Sequence, residues 1–149
     1  RRARRDTARK VRCMTAGTVD GGGEDGGVGA LGGPEDCIET FGEELRARRD
    51  LFYRGIKEAA GDVFAGQPPA GAFYAFLRIN PGWREGNRAT ASLSWRMVEY
   101  LIEKARIGSV PGVDFGPNGE GYVRFCFARD RQELTGALQA MNELFGVRV

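Results

Sequence analysis

The stretch Gly119–Ala128, GEGYVRFCFA, sets a permanent cation, Arg124, between Val123 and Phe125 in an otherwise apolar strand. Period-two alternation puts Val123, Phe125 and Phe127 on one face and Tyr122, Arg124 and Cys126 on the other. A guanidinium held off the core by a rigid strand, beside an aromatic hydroxyl and a thiol, presents a planar fork. That fork can receive a carboxylate through two parallel hydrogen bonds. The plainer reading is a surface arginine with its stem packed and its head in water, and spacing alone favours it.

Little else in the chain can do chemistry. There is no histidine, which excludes Ser-His and Cys-His nucleophile pairs and imidazole metal sites. Cys13, Cys37 and Cys126 are odd in number and widely spaced, so they fit neither a disulfide framework nor a zinc pattern. A reducing cytoplasm is the simplest setting for them. The lysines are Lys10, Lys57 and Lys104. Lys10 falls in a basic leader, and Lys57 and Lys104 fall among surface charges of amphipathic helices.

At 149 residues the chain is one ordinary domain, long enough to bury its own core. No apolar run approaches the roughly 18–20 residues of a membrane span, and no secretory signal pattern is present. The net charge of +2 conceals an asymmetry. Residues 1–12 carry seven basic side chains against one acid, and the other 137 carry 15 basic against 19 acidic. Nine of the 23 glycines lie between Gly17 and Gly33. Residues 1–29 therefore read as a disordered basic and glycine-rich leader, because such composition cannot offset the entropy of ordering the backbone. A nucleic-acid arm is the functional alternative, but no supporting motif accompanies it, and no nucleic-acid or membrane partner is expected.

Stepping along the remainder, Pro34, Glu35 and Asp36 mark a helix start and Gly61 a stop. Ile38, Phe41, Leu45, Leu51, Phe52 and Ile56 recur between them at helical spacing. A short strand is predicted at Val63–Ala65, and a second over the apolar, aromatic run Ala72–Ile79. Phe73 and Tyr74 in that run read as core. After a Pro/Gly loop, Ser92 caps a helix reaching Arg106, with Leu93, Met97, Tyr100, Leu101 and Ile102 inward. A strand end and a glycine-proline loop lead to the Tyr122–Ala128 strand. A last helix over about Arg131–Phe145 buries Leu134, Leu138, Met141 and Leu144 or Phe145. Helix, two strands, helix, two strands, helix implies an α+β fold, a small sheet covered by helices.

Three segments then carry a resemblance: Pro-x-Gly-Ala-Phe-Tyr at Pro69–Tyr74, Val-Pro-Gly…Phe-Gly at Val110–Gly116, and Arg-x-x-x-Ala at Arg124–Ala128. With RARRDLFYRGI in the first helix, residues 30–149 resemble the C-terminal small domain, with part of the interdomain helix, of class I/II pyridoxal-phosphate-dependent aminotransferases of fold type I. The resemblance implies that Arg124 binds the α-carboxylate of an amino-acid or 2-oxo-acid substrate. It implies pyridoxal phosphate as cofactor of the parent enzyme, and a homodimer as its assembly.

The same resemblance implies what lies elsewhere. Aminotransferase chemistry needs a lysine forming a Schiff base, an acid at the pyridinium nitrogen and a phosphate cup, and the family carries these in its large domain. None of the three lysines has the Ser-x-Ser-Lys type of context. The expectation is a chain that binds no cofactor alone, has no catalytic or metal-ligating residue, and is inactive without the missing large domain. The leader then reads as out-of-frame or spurious sequence joined to an aminotransferase tail. The alternative is a non-catalytic stand-alone or partner-binding domain derived from the fold.

Overall fold

The computed structural model describes residues 36–86 and 88–146. The expectations for residues 1–29, for Lys10 and for the helix start at Pro34 and Glu35 lie outside the described residues. Two units divide between Glu39 and Thr40. The sheet, the later helices and the body of the first helix belong to the second.

Helix α1 spans Asp36–Ala60, with Asp36 and Glu39 in its first turn and Lys57 in its last, an arrangement that complements the helix dipole. Strand β1 is Phe64–Ala65 and β2 is Tyr74–Ile79. Helix α2 is Leu93–Ala105. Ser92 caps it by accepting from the Trp95 N–H at 3.2 Å. Arg106, expected as its last residue, instead forms the left-handed C-cap at φ 56°. Strand β3 is Val110–Pro111, and two 3-10 turns, Gly112–Phe115 and Pro117–Gly119, lead to β4 at Tyr122–Cys126. Helix α3, Arg131–Phe145, is capped by the Asp130 carboxylate accepting from the Gln132 N–H at 2.7 Å. The predicted order of helices and strands is the observed one.

The sheet runs β1-β2-β4-β3 and every neighbouring pair is antiparallel. The central pair sets Leu77 opposite Val123, Ala75 opposite Phe125 and Phe76 opposite Arg124. The three helices of the described residues pack on one face. There Ala75, Leu77, Ile79, Val123 and Phe125 meet Phe52 and Ile56 from α1, Met97 and Leu101 from α2, and Leu134 and Met141 from α3. Phe125 is the hub, its ring 5.8 Å from Phe52 and 5.6 Å from Phe64. Each such side chain contributes about 1.5–3 kcal/mol on burial, so this face sets which way the strands turn. The result is a two-layer α+β fold in which, among the described residues, the other sheet face carries no helix.

Three residues expected to point inward do not. Ile38 and Phe41 are 65 % and 67 % exposed, and Ile102 is 52 % exposed. The α1 stripe joins the core only from Leu51 onward, so Phe41 sits beyond the part of the helix that the sheet covers. Ile102 lies a turn past Val98, at the margin of the stripe formed by Ser94, Met97, Val98 and Leu101.

Candidate carboxylate site on the open sheet face

β4 alternates as its sequence requires. Val123 and Phe125 are buried, and Tyr122, Arg124 and Cys126 turn to the open face. On β2 the partners of that face are Tyr74, Phe76 and Arg78, set opposite Cys126, Arg124 and Tyr122. Arg124 therefore stands on a central strand, with Phe76 across one ladder and Val110 across the other.

Its guanidinium carbon lies 4.2 Å from the centre of the Tyr74 ring and 4.5 Å from that of Phe115, well within the range of cation–π attraction. Tyr122, the neighbour expected on its own strand, is engaged elsewhere. Its ring stacks on Phe76 at 5.1 Å and 8°. Phe115 meets Phe76 edge-on at 6.0 Å. Tyr74 and Phe115 make no direct ring contact with each other, and the guanidinium bridges them.

The reading of Phe73 and Tyr74 as core is overturned. They are 40 % and 37 % exposed. An uninterrupted apolar run hides which parity faces the helices, and the pairing with β4 decides it. Ala72 adopts φ 61° just before them, a left-handed conformation that is costly for a residue with a Cβ. Arg78, on the same parity as Tyr74, was the sequence signal for an exposed face. Phe115 lies in a 3-10 turn, where no period announces it.

The turn holding Phe115 is built by close backbone packing. A Cβ on Gly119 would lie 1.9 Å from the Gly112 carbonyl oxygen, so only glycine fits there. Glu120 then ties this loop to α2. Its carboxylate accepts from the Leu93 N–H at 2.6 Å and from the Ser92 hydroxyl at 2.7 Å, a favourable place for a negative charge. Gly121, at φ 79°, turns the chain into β4.

Among the described residues the Arg124 guanidinium has no hydrogen bond and no ion pair. The rings cover carbon and charge but accept none of its five N–H donors in line. Arg124 is thus a half-buried cation flanked by two rings, with its N–H edge unpartnered among the described residues. Cys126 is exposed and unpaired on the same strand. Lys57 and Lys104 are exposed on α1 and α2, in the layer behind the sheet, so neither joins the Arg124 face. A groove of about 410 Å³ elsewhere is lined by Arg106, Phe125, Leu134 and Met141 among others. Arg124 is not in its walls.

The chain is similar to an aspartate aminotransferase of Pyrococcus horikoshii, 31 % identical over 137 residues, 91 % of this chain and 32 % of the relative. A protein named a probable aspartate aminotransferase in Methanocaldococcus jannaschii is 35 % identical over 120 residues, 80 % of this chain and 28 % of its own. Among solved structures, the aromatic aminotransferase of Pyrococcus horikoshii superposes with a TM-score of 0.71 and 28 % identity, over 91 % of this chain and 34 % of that one. The chain thus spans about a third or less of the length of the relatives it matches. No family profile matches it.

Proposed function

Because the chain belongs to the class I/II pyridoxal-phosphate-dependent aminotransferases and carries their C-terminal small domain, we propose that Arg124 binds the α-carboxylate of the amino acid and 2-oxo acid that the parent enzyme interconverts. The supporting observation is the guanidinium itself, held over Tyr74 and Phe115 with no acceptor for its donors among the described residues. A carboxylate that approaches in its plane gains two charge-assisted hydrogen bonds. The aromatic surroundings exclude water from one side and so strengthen the pair.

Pyridoxal phosphate, when bound, accepts and returns the amino group in this family. Lys57 and Lys104 are exposed on the helical layer, away from the Arg124 face, and the reading assigns the cofactor to the large domain of the parent enzyme. The domain's own contribution is to bind and orient. Arg124 fixes the carboxylate end of the substrate, while the amino end points away from the sheet toward groups that the parent enzyme supplies. The assembled enzyme is a homodimer in the cytoplasm on this reading, with the large domain completing the site.

The test uses the full chain and the side-chain Nε–H resonance of Arg124. Titration with 2-oxoglutarate is expected to shift that resonance and to saturate in the millimolar range, about −4 kcal/mol, and Arg124→Gln is expected to lose the accompanying shifts of the neighbouring backbone amides. An Arg124 resonance indifferent to carboxylate would end the proposal.

The second reading, a non-catalytic partner-binding domain, is favoured by Phe41, which stands 67 % exposed on α1. Phe52, the other residue expected on such a face, is buried at 4 %. Ile38, one turn earlier on the same helix, is 65 % exposed, so the exposed apolar stripe runs from Ile38 to Phe41 and stops short of Phe52.

A further inference from the structure

We propose that Tyr74 and Phe115 are positioning residues for Arg124, together restricting its guanidinium so that its N–H edge is presented to a planar carboxylate. This rests on the carboxylate reading and adds to it the residues that make the arginine a receptor.

An arginine side chain loses about 2 kcal/mol of rotamer freedom when it is fixed. A free surface arginine bears that cost at the moment of binding, whereas a preorganised one has borne it on folding. Here the guanidinium carbon is 4.2 Å and 4.5 Å from two ring centres, and no acceptor among the described residues holds it otherwise. The rings attract the cation through its face and leave its hydrogen-bonding edge unused.

Both rings are themselves fixed, which separates this from a chance surface contact. Tyr74 is at the first position of β2, in register with Cys126, and packs on Phe73 at 4.6 Å. Phe115 closes the 3-10 turn whose backbone is locked at Gly112 and Gly119, and it leans on Phe76. Two elements distant in sequence thus converge on one guanidinium. The chemistry takes an anion that offers two oxygens to the edge of the fork, as a carboxylate does in one plane.

The experiment follows the Arg124 Nε–H resonance in the full chain and in Tyr74→Leu, Phe115→Leu and Tyr74→Phe, each titrated with acetate. Ring currents are expected to displace the resonance in the unmodified chain and in Tyr74→Phe, and each leucine variant to lose part of that displacement. Acetate affinity is expected to fall about threefold in each leucine variant, the equivalent of a partly exposed cation–π contact, and to be retained in Tyr74→Phe. Both leucine substitutions fall at exposed positions, so folding is preserved, and amide spectra check it. Acetate that shifts Arg124 equally in all four proteins overturns the positioning role and leaves the carboxylate reading intact. Acetate that leaves Arg124 unmoved in the unmodified chain overturns both.

Discussion

The Ser94 hydroxyl oxygen accepts from the Gly121 N–H at 2.9 Å and the Tyr122 N–H at 3.2 Å, and donates to the Gly119 carbonyl at 3.2 Å. Every hydrogen-bonding capacity of the hydroxyl is used. Ser94 is fully buried, so α2 is fastened to the chain two residues before Arg124 by one satisfied polar group. Replacing it with alanine leaves two backbone donors and an acceptor unpaired. Ser94→Ala is expected to lower stability by about 1–3 kcal/mol, read as a drop in the urea midpoint with little change in slope.

Gly119 offers a different lever on the same site. Any Cβ there strikes the Gly112 carbonyl, and backbone cannot yield as a side-chain tip can. Gly119→Ala is expected to cost roughly 1–3 kcal/mol as an overpacking strain. The two 3-10 turns would separate and carry Phe115 away from Arg124. Thermal unfolding measures the first effect. Loss of the ring-current displacement of Arg124 measures the second.

Acid should act through Glu44. Its carboxylate accepts from Arg131 Nε at 3.0 Å and from Arg131 Nη2, and from Arg48 Nε at 2.7 Å. The Arg131 hydrogen bond, followed by that of Arg48, lowers its pKa from the ordinary 4.5 to about 2. A depressed folded value means that the contribution is present above about pH 4.5 and fades as the pH falls toward 2. The pair is exposed, so the effect is small. Glu44→Gln should be less stable than the unmodified chain at pH 7, with the gap in urea midpoint closing at pH 2.5. A gap independent of pH would remove the ion pair as its cause.

The sequence announced the strands and helices because each carries a regular period or a cap. Ser92, Gly61 and the Leu134–Leu138–Met141 spacing are local signals, and local signals survive in a linear reading. Arg124 was legible for the same reason, since its parity opposes Val123 and Phe125. Its companions were not. Tyr74 stands in a run apolar at both parities except at Arg78, and Phe115 is in a turn with no period at all. What joins them to Arg124 is the β2–β4 register and the Gly112–Gly119 approach, both long-range facts that no short window contains.

The strand order leaves one more consequence. β4 is hydrogen-bonded on both sides, whereas the short strands β1 and β3 lie at the edges. The backbone beneath Arg124 can open only when both ladders part, which places it among the amides that exchange with solvent last. The strand that carries Arg124 is thus held more firmly than the edge strands, and any adjustment on the open face must come from the groups around it.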